Sequence, residues 1–81
     1  MNKRPFSFSQ PMTYLIKVPG HLDERLVKWN EPITEVVQGL EQGTPITMLT
    51  CTVDQAALHG LLRRLYGLGL PLIAVQIIHE L

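Results

Sequence analysis

The chain has 81 residues, with Lys plus Arg and Asp plus Glu balanced at 7 each, and 46% hydrophobic against 17% charged residues. That length is one domain; the neutral balance excludes a general basic footprint for nucleic acid, and the apolar share excludes disorder over the whole chain. A single cysteine excludes an intramolecular disulfide framework and any multi-cysteine metal site.

Residues 1–11 read as a flexible N-terminal tail, because Pro5, Pro11, Ser7, Ser9 and Gln10 favour turns and extended chain. Lys3 and Arg4 have no apolar run behind them, so no targeting segment is expected. The apolar stretch 58–78 is broken by Arg63, Arg64, Gly67, Gly69 and Pro71, which argues against a membrane-spanning helix. With a lone thiol as well, the expected compartment is the cytoplasm.

A single domain is expected over 12–81. Its first strand is Met12–Val18, with Tyr14, Ile16 and Val18 on one face and Thr13, Leu15 and Lys17 on the other. Pro19-Gly20 ends it. The spacing of Leu22, Leu26 and Trp29 then predicts a short helix from His21 or Leu22 to Trp29, with Asp23 and Glu24 in its first turn. Asn30-Glu31-Pro32 stops that helix. A hairpin follows, its strands at about Ile33–Gln38 and Ile46–Val53, with the turn at Gly39–Gly43.

Asp54 is a good N-cap for a second helix. Ala57, Leu58, Leu61, Leu62, Leu65 and Leu68 make its apolar stripe, and Gln55, His59 and Arg63 fall opposite. Gly69 suits the left-handed position past the helix end, with Leu70 folding back on Leu65 in a Schellman arrangement. Gly60 in mid-helix costs about 1 kcal/mol relative to alanine and points to close approach by another backbone. The last strand, Leu72–His79, is apolar on both faces and is expected to be central or covered on both sides.

Strand, helix, strand, strand, helix, strand is the ferredoxin-like β-α-β-β-α-β order, an α+β fold. It predicts a four-stranded antiparallel sheet with two helices on one face. The first and third strands lie at its centre, and the second and fourth at its edges. A doubly apolar strand at an edge is a conflict that a partner chain would resolve. The face away from the helices holds Leu15, Ile46, Met48, Leu72, Ala74 and Ile78 beside Thr50, Thr52 and Gln76. A half-apolar face on so small a domain points to a homo-oligomer, with Leu15, Met48, Leu72, Ala74 and Ile78 as interface candidates. A two-fold dimer is the commonest such solution.

Two stretches carry a resemblance: Gly20-His21-Leu22-Asp23 with Trp29, and Thr47-Met48-Leu49 running through Asp54-Gln55-Ala56-Ala57-Leu58-His59-Gly60 to Leu68-Gly69-Leu70. They resemble a group of small, uncharacterised bacterial proteins that share strand-G-H-L-D, T-x-L, D-Q-A-A-L-H-G-L-L and L-G-L-x-L. The resemblance covers most of residues 14–75 and implies no activity. Cys51 stands where that group is expected to carry a small residue such as glycine, and Glu31–Gly43 matches least.

His21 and Asp23 read either as an acid–base or metal pair, or as a loop residue and a first-turn acid at a helix start. His59 and Arg63, with Asp54-Gln55, read as an anion or partner contact or as a solvated helix face. Cys51 lacks an evident base and reads as a small core residue. His79-Glu80 could join another histidine across an oligomer, but zinc spacing is not met. Gly67-Leu68-Gly69 lacks the strand-before, helix-after context of a phosphate loop, and Tyr14 alone does not make an RNA-stacking sheet. No cofactor, nucleic acid or membrane partner is expected. Function therefore reads as a non-catalytic, homo-oligomeric binding or regulatory module assembled through its sheet. The alternative is a small dimeric α/β-barrel-type enzyme with a pocket between two subunits, which rests on fold analogy.

Overall fold

The structure, a computed structural model, describes residues 10–22 and 32–78. Four strands form one antiparallel sheet: β1 (Met12–Pro19), β2 (Ile33–Glu41), β3 (Thr44–Val53) and β4 (Ala74–Ile78), in the order β2-β3-β1-β4. One helix, α1 (Gln55–Gly67), connects β3 to β4. The strand order puts β1 and β3 at the centre, as the sequence pattern predicts.

The two-helix ferredoxin-like arrangement is corrected. The described residues hold one helix, not two, and their order is β-β-β-α-β. His21 and Leu22, the expected start of a first helix, are irregular. The reason is local. Gly20 adopts a left-handed φ of 84°, which glycine tolerates without penalty. Its N–H donates to the Pro45 carbonyl, and the Leu22 N–H donates to the Thr47 hydroxyl, so the chain is still tied to β3 at these residues. The rest of that expected helix, Asp23 to Trp29, lies outside the described residues, as does the expected tail over 1–9.

The hairpin turn is also tighter than expected. Gly39 and Leu40 are strand residues, paired with Ile46 and Pro45, and the loop is Gln42-Gly43 alone. Both loop residues have positive φ, 51° and 79°, the two-residue geometry whose twist matches that of the strands it joins.

The core lies between α1 and one face of the sheet. Tyr14, Ile16 and Val18 of β1, Leu49, Cys51 and Val53 of β3 and Ile33 of β2 are buried against Leu58, Leu61 and Leu65 of α1. Period two on the strands and the i, i+3, i+7 spacing on the helix bring these residues together. The helical stripe is narrower than its sequence suggests, since Ala57 and Leu68 are exposed. Among the described residues nothing lies within 4 Å of where a Cβ on Gly60 would stand.

Both ends of α1 are capped as the sequence dictates. The Asp54 carboxylate accepts the Ala57 N–H at 2.8 Å. At the other end the Leu70 N–H reaches the Leu65 carbonyl at 3.1 Å and the Gly69 N–H reaches the Tyr66 carbonyl at 2.9 Å, with Gly69 at φ 81°. That pair of bonds is a Schellman motif.

The last strand takes the edge position that the expected strand order gives it, but it is shorter than expected and its apolar side chains are left exposed. It spans Ala74–Ile78 and lies at the sheet edge, paired with β1, and Leu72, Ile73 and Val75 are 44%, 48% and 38% exposed. Apolarity on both sides did not make it covered among the described residues, where α1 packs on the core rows of β3 and β1.

Asp54→Ala removes the acceptor for the first turn and should lower stability by about 1 kcal/mol. A denaturant midpoint unchanged from wild type would refute the cap.

Candidate functional site

The most organised polar site is the end of the sheet where β1 leaves and β3 begins. Thr47 stands opposite Val18 on the row of β3 that continues through Leu49, Cys51 and Val53, so its hydroxyl is directed into the core side and is fully buried. A buried hydroxyl must find partners or cost roughly 1–3 kcal/mol. Thr47 finds two: it donates to the Gly20 carbonyl at 2.7 Å and accepts the Leu22 N–H at 3.0 Å. β2 adds two more ties. The Gln38 side-chain amide donates to the Leu22 carbonyl at 2.9 Å, and His21 Nε2 lies 2.9 Å from the Gly39 carbonyl. Among the described residues, no buried side-chain nitrogen or oxygen lacks a partner.

This geometry assigns the His21 tautomer. A carbonyl only accepts, so Nε2 carries the proton and Nδ1 is the open acceptor in the neutral ring. His21 is exposed and acts as a clamp on β2. Asp23, its expected acid–base companion, lies outside the described residues. His59 and Arg63 are exposed on the outer face of α1. That helix departs from the end of the sheet where β3 finishes, whereas His21 sits where β3 begins. The structure therefore does not gather His21, His59 and Arg63 into one site. No group of three or more His, Cys, Asp or Glu suited to a metal occurs among the described residues. His79 and Glu80 lie outside them.

Cys51 is fully buried, and desolvation raises its thiol pKa above the ordinary value. A neutral, enclosed thiol is a poor nucleophile. Its place between Leu49 and Val53 on the core row is that of a small packing residue.

The sheet face away from α1 carries Leu15, Met48, Ala74 and Ile78, each partly exposed. The register interleaves them with polar side chains. Leu15 lies between Thr50 and Gln76, Met48 beside Lys17, and Ile78 beside Thr13, which shares a 2.9 Å hydroxyl contact with Thr52. Lys17 also reaches the Glu41 carboxylate at 2.6 Å. Because Lys17 is opposite Met48 and Glu41 opposite Thr44, this ion pair passes diagonally across Ile46, which is 4% exposed. The face is a mixed surface; exposed apolar residues also stand at and just before β4, Leu72, Ile73 and Val75, and on β2, Val37 and Leu40. Near the end of α1, Tyr66, Gly67, Gly69, Leu70 and Pro71 line an open depression of about 620 Å³. Tyr66 is 82% exposed at its rim.

Sequence reasoning missed Thr47 and Gln38 as anchors. The signal for Thr47 was present: a hydroxyl residue standing in a period-two apolar row needs an internal partner. The partner itself is 25–27 residues away in sequence and has no local trace.

Residues 13–76 match a family described as "Domain of unknown function (DUF8691)", and the chain belongs to it. No curated protein matches, and no solved structure matches. No helix among the described residues is long and apolar enough to cross a membrane.

Thr47→Val keeps the shape and deletes both hydrogen bonds, leaving the Gly20 carbonyl and the Leu22 N–H without this partner; it should cost about 1–3 kcal/mol. Thr47→Ser retains the hydroxyl and should cost less. Equal losses in denaturant unfolding would show that packing of the methyl group, not the hydroxyl, matters at this site. For Cys51, thiol titration with an aromatic disulfide should be slow in buffer and complete in denaturant. Fast labelling of the native protein would contradict its inertness.

Proposed function

We propose that this family member is a non-catalytic, homo-oligomeric binding module assembled through its sheet, with a second copy of itself as its first partner. The observation that carries the reading is the apolar flank of β4, uncovered among the described residues, where Leu72, Ile73 and Val75 are between about a third and a half exposed. Contiguous exposed apolar surface on a small domain marks an interaction site, and an 81-residue chain has little apolar surface to spare from its own core.

The uses already made of the polar groups support the non-catalytic part. Thr47 and Gln38 hold the chain that leaves β1, His21 clamps β2, and Asp54 caps α1. The Gly20-His21-Leu22 and Thr47-Met48-Leu49 stretches, far apart in sequence, meet at the Thr47 hydroxyl. Asp54 and Gly69 delimit one helix. The stretches that mark this sequence thus have architectural work.

Sedimentation equilibrium of the wild-type protein should give the mass of a dimer at high micromolar concentration. A monomer throughout that range would overturn the reading.

A further inference from the structure

We infer, resting on the self-assembly just proposed, that the second copy docks on the outer edge of β4. The two β4 strands then pair antiparallel about a two-fold axis and join the sheets into one. The inference comes from the contrast between the two edges of the sheet. An edge strand presents unpaired backbone N–H and C=O groups, and proteins that must stay apart protect such edges with bulges and charges. β2 is protected in both ways. Its register shifts between Ile33 and Glu35, and Glu35 and Glu41 flank its exposed Val37 and Leu40. Among the described residues β4 has neither device. Its pairing with β1 runs in unbroken register from Thr13–Ile78 to Lys17–Ala74, and no Asp, Glu, Lys or Arg occurs between Arg64 and Ile78.

The absence of charge also suits a second copy as the occupant. In a two-fold contact each residue of the patch meets the same patch, so any charge on it would face its like. A stretch without charge meets that condition, and the chain as a whole is neutral, so two copies approach without net repulsion. Leu72, Ile73 and Val75 then gain neighbours on both sides of the joined sheet. The side-chain alternation along β4 remains as it is: Val75 and Ile77 continue the core row beside Ile16 and Tyr14, and Ala74 and Gln76 continue the open face. Self-pairing also settles the conflict of a doubly apolar strand at an edge.

The experiment combines sedimentation equilibrium on wild type, Val75→Lys and Met48→Lys with amide hydrogen exchange of the wild type at low and high concentration. Val75→Lys places two ammonium groups near each other across the two-fold and should weaken the dimer by on the order of a hundredfold. Met48→Lys, on the open face, should leave it assembled. Amides within 74–78 should gain protection as concentration rises, a readout that needs no variant to fold. If Met48→Lys dissociates the dimer while Val75→Lys does not, or if β4 exchange is independent of concentration in a dimeric wild type, edge pairing is overturned and self-assembly stands. A monomeric wild type overturns both.

Discussion

The buried hydroxyl of Thr47 is the contact on which the arrangement of this sheet depends. β1 and β2 are each antiparallel to β3, so they run in the same direction with β3 between them. The chain leaving β1 therefore has to pass β3 before it can begin β2, and such a passage takes a dozen or so residues. At its outset the backbone cannot use strand pairing for its polar groups. Thr47 supplies both a donor and an acceptor there, one to Gly20 and one from Leu22, from a position with no access to water. Pro45, Gln38 and Gly39 add their bonds around it. The left-handed turn at Gly20 is what brings these groups into range.

The same accounting explains the rest of the core. Among the described residues each buried side-chain nitrogen and oxygen has a partner, and each end of α1 has its cap, so these groups put no unmet polar cost on the layer between α1 and the sheet. A sheet with one helix described upon it leaves two kinds of surface exposed. The open face is crossed by the Lys17–Glu41 pair and by threonines in register, and is suited to water. The β4 edge and its flank are not suited to water in that way, and this asymmetry is what directs the functional reading towards association.

Much of this was legible in the residues because it is local. The period-two row Tyr14, Ile16, Val18 and the rows through Leu49, Cys51 and Val53 follow from strand geometry alone. Asp54 and Gly69-Leu70 mark the ends of α1 through side-chain and backbone chemistry that acts within a few residues. The short loop Gln42-Gly43 was harder. Gly39 competes with Gly43 as a turn residue, and only the pairing of Gly39 with Ile46 makes it a strand position. His21 and Leu22 were hard for the same reason: the helical spacing of Leu22, Leu26 and Trp29 says nothing of the hydroxyl on β3 that takes the Leu22 amide and keeps these two residues irregular.

By itself the sequence determined the strand rows, the caps of α1, the inert burial of Cys51 and the neutrality of the stretch before Ile78, since each rests on the chemistry of neighbouring residues or on composition. Tertiary structure alone decided that Thr47 anchors the exit of β1, that His21 bonds Gly39 and stands apart from His59 and Arg63, and that the apolar side chains at the last strand stay exposed. Those outcomes depend on which segments are brought side by side. That is a property of the whole sheet: β4 is bordered on one side by β1, and the side-chain pattern of a strand does not record what borders the other.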